Sequence, residues 1–373
     1  MNGNSNNIRI GNLFGIPFYI NPSWFFVLGL IALSYGGELA RFPQLTGITP
    51  WILGLVAALL LFSSVLAHEL GHSFAAISQG IKVKSITLFI FGGLAALEKE
   101  SDTPVQSLFV AIAGPLVSVL LFGVFTLINI IFTLPVPISA IVSLLASINL
   151  ILALFNMIPG LPLDGGNVLK AIVWKVTGNP NKGIIIAGRV GQFFGWLAVG
   201  VGILGTLSIL PFGSFWTLLI GWFLLQNAGF AAQSATVQDK LDGFTAEDAV
   251  ISNSPIVNAN ISLREFVNEH VIGKQKWRKF LVVDEARQLM GEVIVDDLKQ
   301  IPTSDWTQIE LGSIVKPVSE VTKIDSHLSL LEVVKLIETQ NIKEMVVIRE
   351  NREVLGLLEK ASIVNLLQKE KQN

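Results

Sequence analysis

The amino-acid sequence predicts a polytopic α-helical membrane protein, six transmembrane helices with a short β-hairpin element, followed by an α/β module of different character. Three observations predict it. Of the 373 residues, 51% are hydrophobic and only 14% charged, a balance foreign to soluble domains. The first 230 residues hold nine Lys/Arg and six Asp/Glu, whereas the remaining 143 hold seventeen and twenty-two. Apolar runs long enough to cross a bilayer, about 20 residues, fall only in the first part.

The expected spans lie near residues 18 to 36, 51 to 78, 106 to 132, 138 to 158, 190 to 210 and 213 to 232. The preceding segment is polar up to about Gly15, carries Arg9 and lacks a small-residue cleavage pattern, so a retained anchor is expected and not a removed signal peptide. The basic residues of this part are Arg9, Arg41, Lys82, Lys84, Lys99, Lys170, Lys175, Lys182 and Arg189. With a cytoplasmic N-terminus, all but Arg41 lie on the cytoplasmic side, as the positive-inside rule requires. Six crossings then return the chain to the cytoplasm. The expected location is the cell membrane, multi-pass, with a membrane domain over 1–235 and a cytoplasmic module over 236–373. Net charges of +3 and −5 on the two parts exclude the basic footprint of a nucleic-acid binder.

Between the second and third spans, KVKSITLFIFGGLAALEKE is too short to cross and return as helix and is rich in β-branched and aromatic residues. It reads as a strand or hairpin, lying over the membrane face or dipping into the protein.

The second span is apolar for seventeen residues and then reads His-Glu-Leu-Gly-His, residues 68 to 72. A helix entering at Trp51 carries His68 about 25 Å deep at about 1.5 Å per residue, inside the bilayer. His68 and His72, four apart, share one helix face and can bind one metal, and Glu69 stands beside it to act on water. The alternative, two histidines packing a helix pair, buries His, Glu and His in an apolar helix at high cost. The chain has no cysteine, so a further ligand must be His, Asp or Glu. The first 230 residues hold no other His, and their remaining acids are Glu38, Glu98, Glu100, Asp102 and Asp164. Glu38 falls on the opposite face, and Glu98, Glu100 and Asp102 read as a solvated connection. Asp164, in FNMIPGLPLDGGNVLK, follows a Pro- and Gly-broken helix end at the depth of the histidines. Irregular backbone at that depth is tolerated where it is buried in protein or lines a cavity. Asp164 is the candidate third ligand; a turn-forming Asp-Gly at the membrane surface is the other reading.

These residues resemble the site-2 protease family of intramembrane zinc metalloproteases. The resemblance rests on HELGH and on the pattern Asn-x-x-Pro-x-x-x-x-Asp-Gly, here Asn156, Pro159, Asp164 and Gly165, with GIPFYINPSW, FGG at 91 to 93 and AGPLVS at 113 to 118. It covers about residues 8 to 230. Asn21 stands where family members often carry His, and Asn167 where they often carry Arg. The resemblance implies one catalytic Zn2+ held by His68, His72 and Asp164, and Glu69 as the general base. It implies transmembrane protein substrates within the lipid bilayer, cut after a first cleavage by a site-1-type protease. Asn156 fits either donation to the oxyanion or a bond to the backbone at the helix break.

Beyond residue 240 the sequence repeats itself. FLVVD at 280 to 284 aligns with MVVIR at 345 to 349, LMGEVI at 289 to 294 with VLGLLE at 354 to 359, and ISLREFV with LSLLEVV. Each copy, about 244–300 and 314–370, reads helix, strand, turn, strand, helix. The pair resembles tandem CBS domains, which implies a regulatory role, a homodimer through these domains, or an adenine nucleotide. Of the family's nucleotide pattern only Asp297 matches. His270 and His327 have no partner pattern and read as solvated surface residues. A CBS-gated transporter or channel is the rival function.

Overall fold

The computed structural model describes residues 7–272, 277–318 and 323–369. Part of the N-terminal tail expected in the cytoplasm and the end of the second repeat lie outside them. The chain divides into two units, Met1–Thr236 and Val237–Asn373.

The first unit opens with strands β1 (Ile8–Leu13) and β2 (Ile16–Ile20), then helices α1 (Pro22–Leu39) and α2 (Thr49–Ser78). The expected hairpin follows as β3 (Val83–Phe89) and β4 (Gly92–Leu97). Helices α3 (Pro104–Ile131), α4 (Val136–Asn156), α5 (Asp164–Thr177), α6 (Pro180–Thr206) and α7 (Phe215–Leu241) complete it. Among the described residues five helices, α2, α3, α4, α6 and α7, are long and apolar enough to cross a membrane. The sequence predicts six. The first expected span is a helix of 18 residues, but Tyr35, Gly36, Gly37 and Glu38 dilute its last turns, and it is not among the five. This is a multi-pass membrane protein, and its outward faces carry exposed Phe109, Leu120, Ile130 and Leu154 as lipid contact requires.

Three boundaries differ from the sequence expectation for local reasons. Residues 16–20 pair as β2, so α1 starts only after Asn21, whose side chain accepts from the Ser23 N–H at 3.0 Å, with Pro22 at the first helical position. Residues 164–177 form a separate helix, α5, stopped by Gly178 in the left-handed conformation, φ 72°. Its apolar residues occupy one side only, so it has no span-like run. After Asn179, which caps through Lys182 N–H, α6 begins about ten residues before the expected 190.

The sheet order is β1-β2-β3-β4, with β2 and β3 parallel (Phe18↔Ile86) and β3 and β4 antiparallel (Leu88↔Gly93). Ile20, Trp24, Phe62 and Leu88 form one buried cluster that seats the sheet on α1 and α2. The Asn21 N–H donates to Leu88 O at 2.8 Å, tying the strand to the start of α1. β4 is thereby held over α2 as an edge strand. A buried Asn149 donates to Ser64 Oγ at 3.1 Å, a polar contact between α4 and α2 one turn before His68.

In the second unit, β5 (Ile256–Asn258), β6 (Lys279–Val283) and β7 (Leu289–Ile294) form one three-stranded sheet, and β8 (Lys323–Asp325), β9 (Glu344–Ile348) and β10 (Val354–Glu359) another. In each, the first two strands are parallel and the last two antiparallel. The helix between β8 and β9 is α9 (Leu330–Gln340), and α10 (Lys360–Lys369) follows β10. In the first copy the corresponding helix is short, α8 (Leu263–Phe266) continued by a π turn, and the last helix is a 3-10 segment, Val295–Gln300. The duplication read from the sequence is real, with a short strand added before each helix. Leu281 and Val283 of one copy share a buried cluster with Val346, Val354 and Leu357 of the other. The result is a duplicated α/β region.

Candidate active site

The side chains singled out in the first unit converge. His68 Nε2 lies 3.1 Å from Asp164 Oδ2, His72 Nε2 lies 3.3 Å from the same oxygen, and the two Nε2 atoms are 3.3 Å apart. Asn156 Nδ2, from the last residue of α4, is 3.4 Å from His68 Nε2. All are withdrawn from solvent, with side-chain exposures of 3% for His68, 12% for His72 and 16% for Asp164.

Local sequence explains each position. α2 is unbroken through HELGH, so both histidines face α3 and Asp164 across one turn. Asp164 begins α5 because the preceding residues fold back on themselves. A Cβ on Gly165 would run into the Met157 and Ile158 backbone, and one on Gly166 into Gly160 and Leu161. The Leu161 N–H donates to Ala187 O at 3.1 Å, pinning this loop to α6.

Partners behind the histidines set their tautomers. His72 Nδ1 lies 2.7 Å from Val110 O; a carbonyl only accepts, so Nδ1 carries the proton and Nε2 presents its lone pair. His68 Nδ1 lies 2.8 Å from Ser118 Oγ, which is fully buried; with the hydroxyl accepting, His68 Nε2 is bare as well. Two nitrogen lone pairs and a carboxylate oxygen then face one point, an arrangement satisfied by a cation. The donor set and spacing fit zinc: ligands about 2.0–2.1 Å from a tetrahedral ion stand about 3.3 Å apart. The three ligand atoms lie within 4.8 Å of one another.

Two glycines allow this crowding. A Cβ on Gly114 would come 2.7 Å from His68 Nε2, and one on Gly93 would come 2.9 Å from Glu69 Cδ. Sequence reasoning noted FGG and AGPLVS without giving them a task. Their tasks are steric, plus the hydrogen bond of Ser118; Val110 carries no sequence signal because it acts through its carbonyl.

Two cavities meet at Glu69, His68 and Asn156. One, of about 390 Å³, is lined on its far side by Glu100, Ser101, Ser107, Asn167 and Lys170. Lys170 pairs with Glu100 at 2.6 Å. The other, of about 440 Å³, is apolar, lined by Val27, Leu30, Phe91, Leu152, Trp216 and Phe223. The site thus opens to a polar space on one side and a hydrocarbon-like one on the other.

In the second unit Asp297 lies in the 3-10 segment and pairs with Lys316 at 2.7 Å. His327 is exposed as expected. His270 is not: it is half-buried and stacks on Phe266, ring centroids 6.0 Å apart, because the π turn rotates it inward.

The sequence matches the family described as Peptidase family M50 over residues 56–139 and 133–198. A Synechocystis sp. protein named "Putative zinc metalloprotease sll0528" is 61% identical over 364 residues, covering 98% of this chain and 96% of that protein. The solved structure titled "Site-2 Protease from Methanocaldococcus jannaschii" is 28% identical, TM-score 0.43, covering 61% of this chain and 95% of that one. A structure titled as the CBS domain of a bacterial CNNM/CorC family Mg2+ transporter in complex with ATP is 13% identical, TM-score 0.28, covering 36% of this chain and 93% of that one. The chain belongs to peptidase family M50, the site-2 protease family, and is a zinc metalloprotease.

Proposed function

We propose that this metalloprotease cuts peptide bonds within or near transmembrane segments of other membrane proteins. In this reading residues 1–235 are the protease domain, and the CBS-like region, 236–373, regulates access or assembly. The observation that carries it is the convergence of His68, His72 and Asp164 on a helix that is apolar for seventeen residues before the first of them. The gated transporter or channel falls with membership of a peptidase family. The distribution of basic residues supports a cytoplasmic N-terminus and C-terminal module, a topology in which the 18-residue α1 crosses together with the five longer helices.

His68, His72 and Asp164 hold the zinc, which when bound supplies Lewis acidity toward water and a carbonyl. Ser118 and Val110 keep both imidazoles turned with Nε2 inward. Glu69 takes a proton from water on its carboxylate and returns it to the leaving amine nitrogen. Asn156 donates from Nδ2 to the scissile carbonyl oxygen as charge develops there; its amide facing His68, with no bond to the helix-break backbone, supports that role over a structural one. A helical substrate hides its carbonyls, so it must unwind, and the free edge of β4 offers main-chain partners to an added strand. The apolar cavity suits the arriving segment and the polar one admits water.

Regulation by the CBS-like pair, a homodimer through it, nucleotide contact at Asp297 and a preceding site-1-type cut complete the proposal. A nucleotide at Asp297 has to displace the Lys316 ion pair. The test is cleavage of a transmembrane reporter in proteoliposomes. Glu69→Gln is expected to keep zinc and lose roughly 10²–10⁴-fold in rate; full activity in that variant sinks the base assignment.

A further inference from the structure

Away from the catalytic site, a groove of about 800 Å³ runs between α6 and α7, and none of its lining residues borders the two catalytic cavities. The helices approach closely where Gly188 faces Ala232 and Gly195 faces Leu225. The groove changes character along its length. One end presents Arg189, Gln192, Gln226 and Gln233, and the other is walled by Trp196 and Trp222. These two tryptophans are 68% and 55% exposed, although they lie in membrane-spanning helices.

Arg189 is the reason to look for an anion. Among the described residues, neither it nor Gln192, Gln226 or Gln233 has a side-chain hydrogen bond or ion pair. A cation within a membrane helix is costly unless partnered or able to reach the interface. α6 has 27 residues, about 40 Å at about 1.5 Å per residue, so it overshoots a hydrocarbon core of about 30 Å. Arg189, nine residues after Pro180, sits about 13 Å from the helix start. A long guanidinium side chain from there reaches headgroup level. Trp196, seven residues further on, lies about 10 Å deeper. Charge at headgroup level above an apolar, aromatic trough is the complement of one molecule, a lipid with an anionic headgroup.

We propose that this groove binds an anionic phospholipid. Arg189 takes the phosphate, Gln192 and Gln233 donate their amides to its oxygens, and an acyl chain lies along Val199, Leu218 and Leu225 between Trp196 and Trp222. The site is independent of the proteolytic reading, since no residue in it touches the zinc ligands.

Full-length protein in nanodiscs tests this with phosphatidylglycerol or phosphatidylcholine brominated on the acyl chain, read by tryptophan quenching at equal mole fraction. The expected result is a preference of roughly fivefold for phosphatidylglycerol, lost in Arg189→Gln at unchanged zinc content. The headgroup-dependent part of the quenching disappears in the double variant Trp196→Phe, Trp222→Phe, which keeps Arg189. Equal quenching by both lipids, a preference that survives Arg189→Gln, or one that survives the double variant overturns the proposal. Tryptophans shielded from either lipid by a second copy of the chain, seen as a cross-linked dimer, overturn it too.

Discussion

The two units use the same side chains under opposite rules. In the second, Asp297 meets Lys316, Arg278 meets Asp296 and Arg349 meets Glu247, all at least partly exposed pairs. Water screens such pairs and can replace either partner, so each adds little to stability. In the first unit, Asp164 meets two histidines largely withdrawn from solvent, backed by Ser118 and the Val110 carbonyl. There an unpartnered polar group is costly, so polar groups are few and gather where they are needed. A substitution should therefore disrupt chemistry in one unit and barely register in the other.

The largest expected effect is at His72. His72→Ala removes one ligand and is expected to abolish reporter cleavage; proteolysis at the wild-type rate would break the contrast between the units. Next is Asn156→Ala, expected to lower kcat by about 10²–10³-fold at unchanged zinc content if its amide serves the oxyanion. A change confined to protein stability would return Asn156 to a structural role. Ser118→Ala, which touches zinc only through His68, is expected to weaken zinc affinity about 10–100-fold, measured by competition with a chelator.

The smallest effect belongs to the second unit. Lys279 joins the two repeats, bonding Glu292 at 2.7 Å and Glu344 at 2.8 Å. Partial burial opposes its charge, and the two carboxylates outweigh that and raise its pKa above 10.5. The folded value exceeds the unfolded one, so the contribution is complete below about pH 10.5 and is lost only as pH rises through the folded value. Lys279→Met is expected to cost about 1 kcal/mol after screening, read as faster hydrogen exchange along β6 in the full chain. Its size should not change between about pH 7 and pH 9; a steep dependence there would contradict the assignment.

The same contrast governs what could be read from the sequence. In the membrane unit six acidic residues leave little choice, so elimination reached Asp164, and the broken helix before it marked the depth. The partners Ser118 and Val110 were not legible as such: one is an ordinary serine in an apolar helix and the other acts through its backbone. α5 was missed because its apolar residues occupy one side only, and β1 and β2 because five- and six-residue strands pair with a distant hairpin. In the second unit the duplication was plain from aligned strands, whereas His270 was misjudged, since a π turn shifts the face a residue takes and leaves no mark in spacing.

The most direct test of the central claim is the zinc-to-protein ratio of purified Asp164→Ala beside wild type. The three-ligand site predicts about one zinc per chain in wild type and almost none in the variant. A variant that retains a full complement of zinc would remove Asp164 from the site and contradict the account.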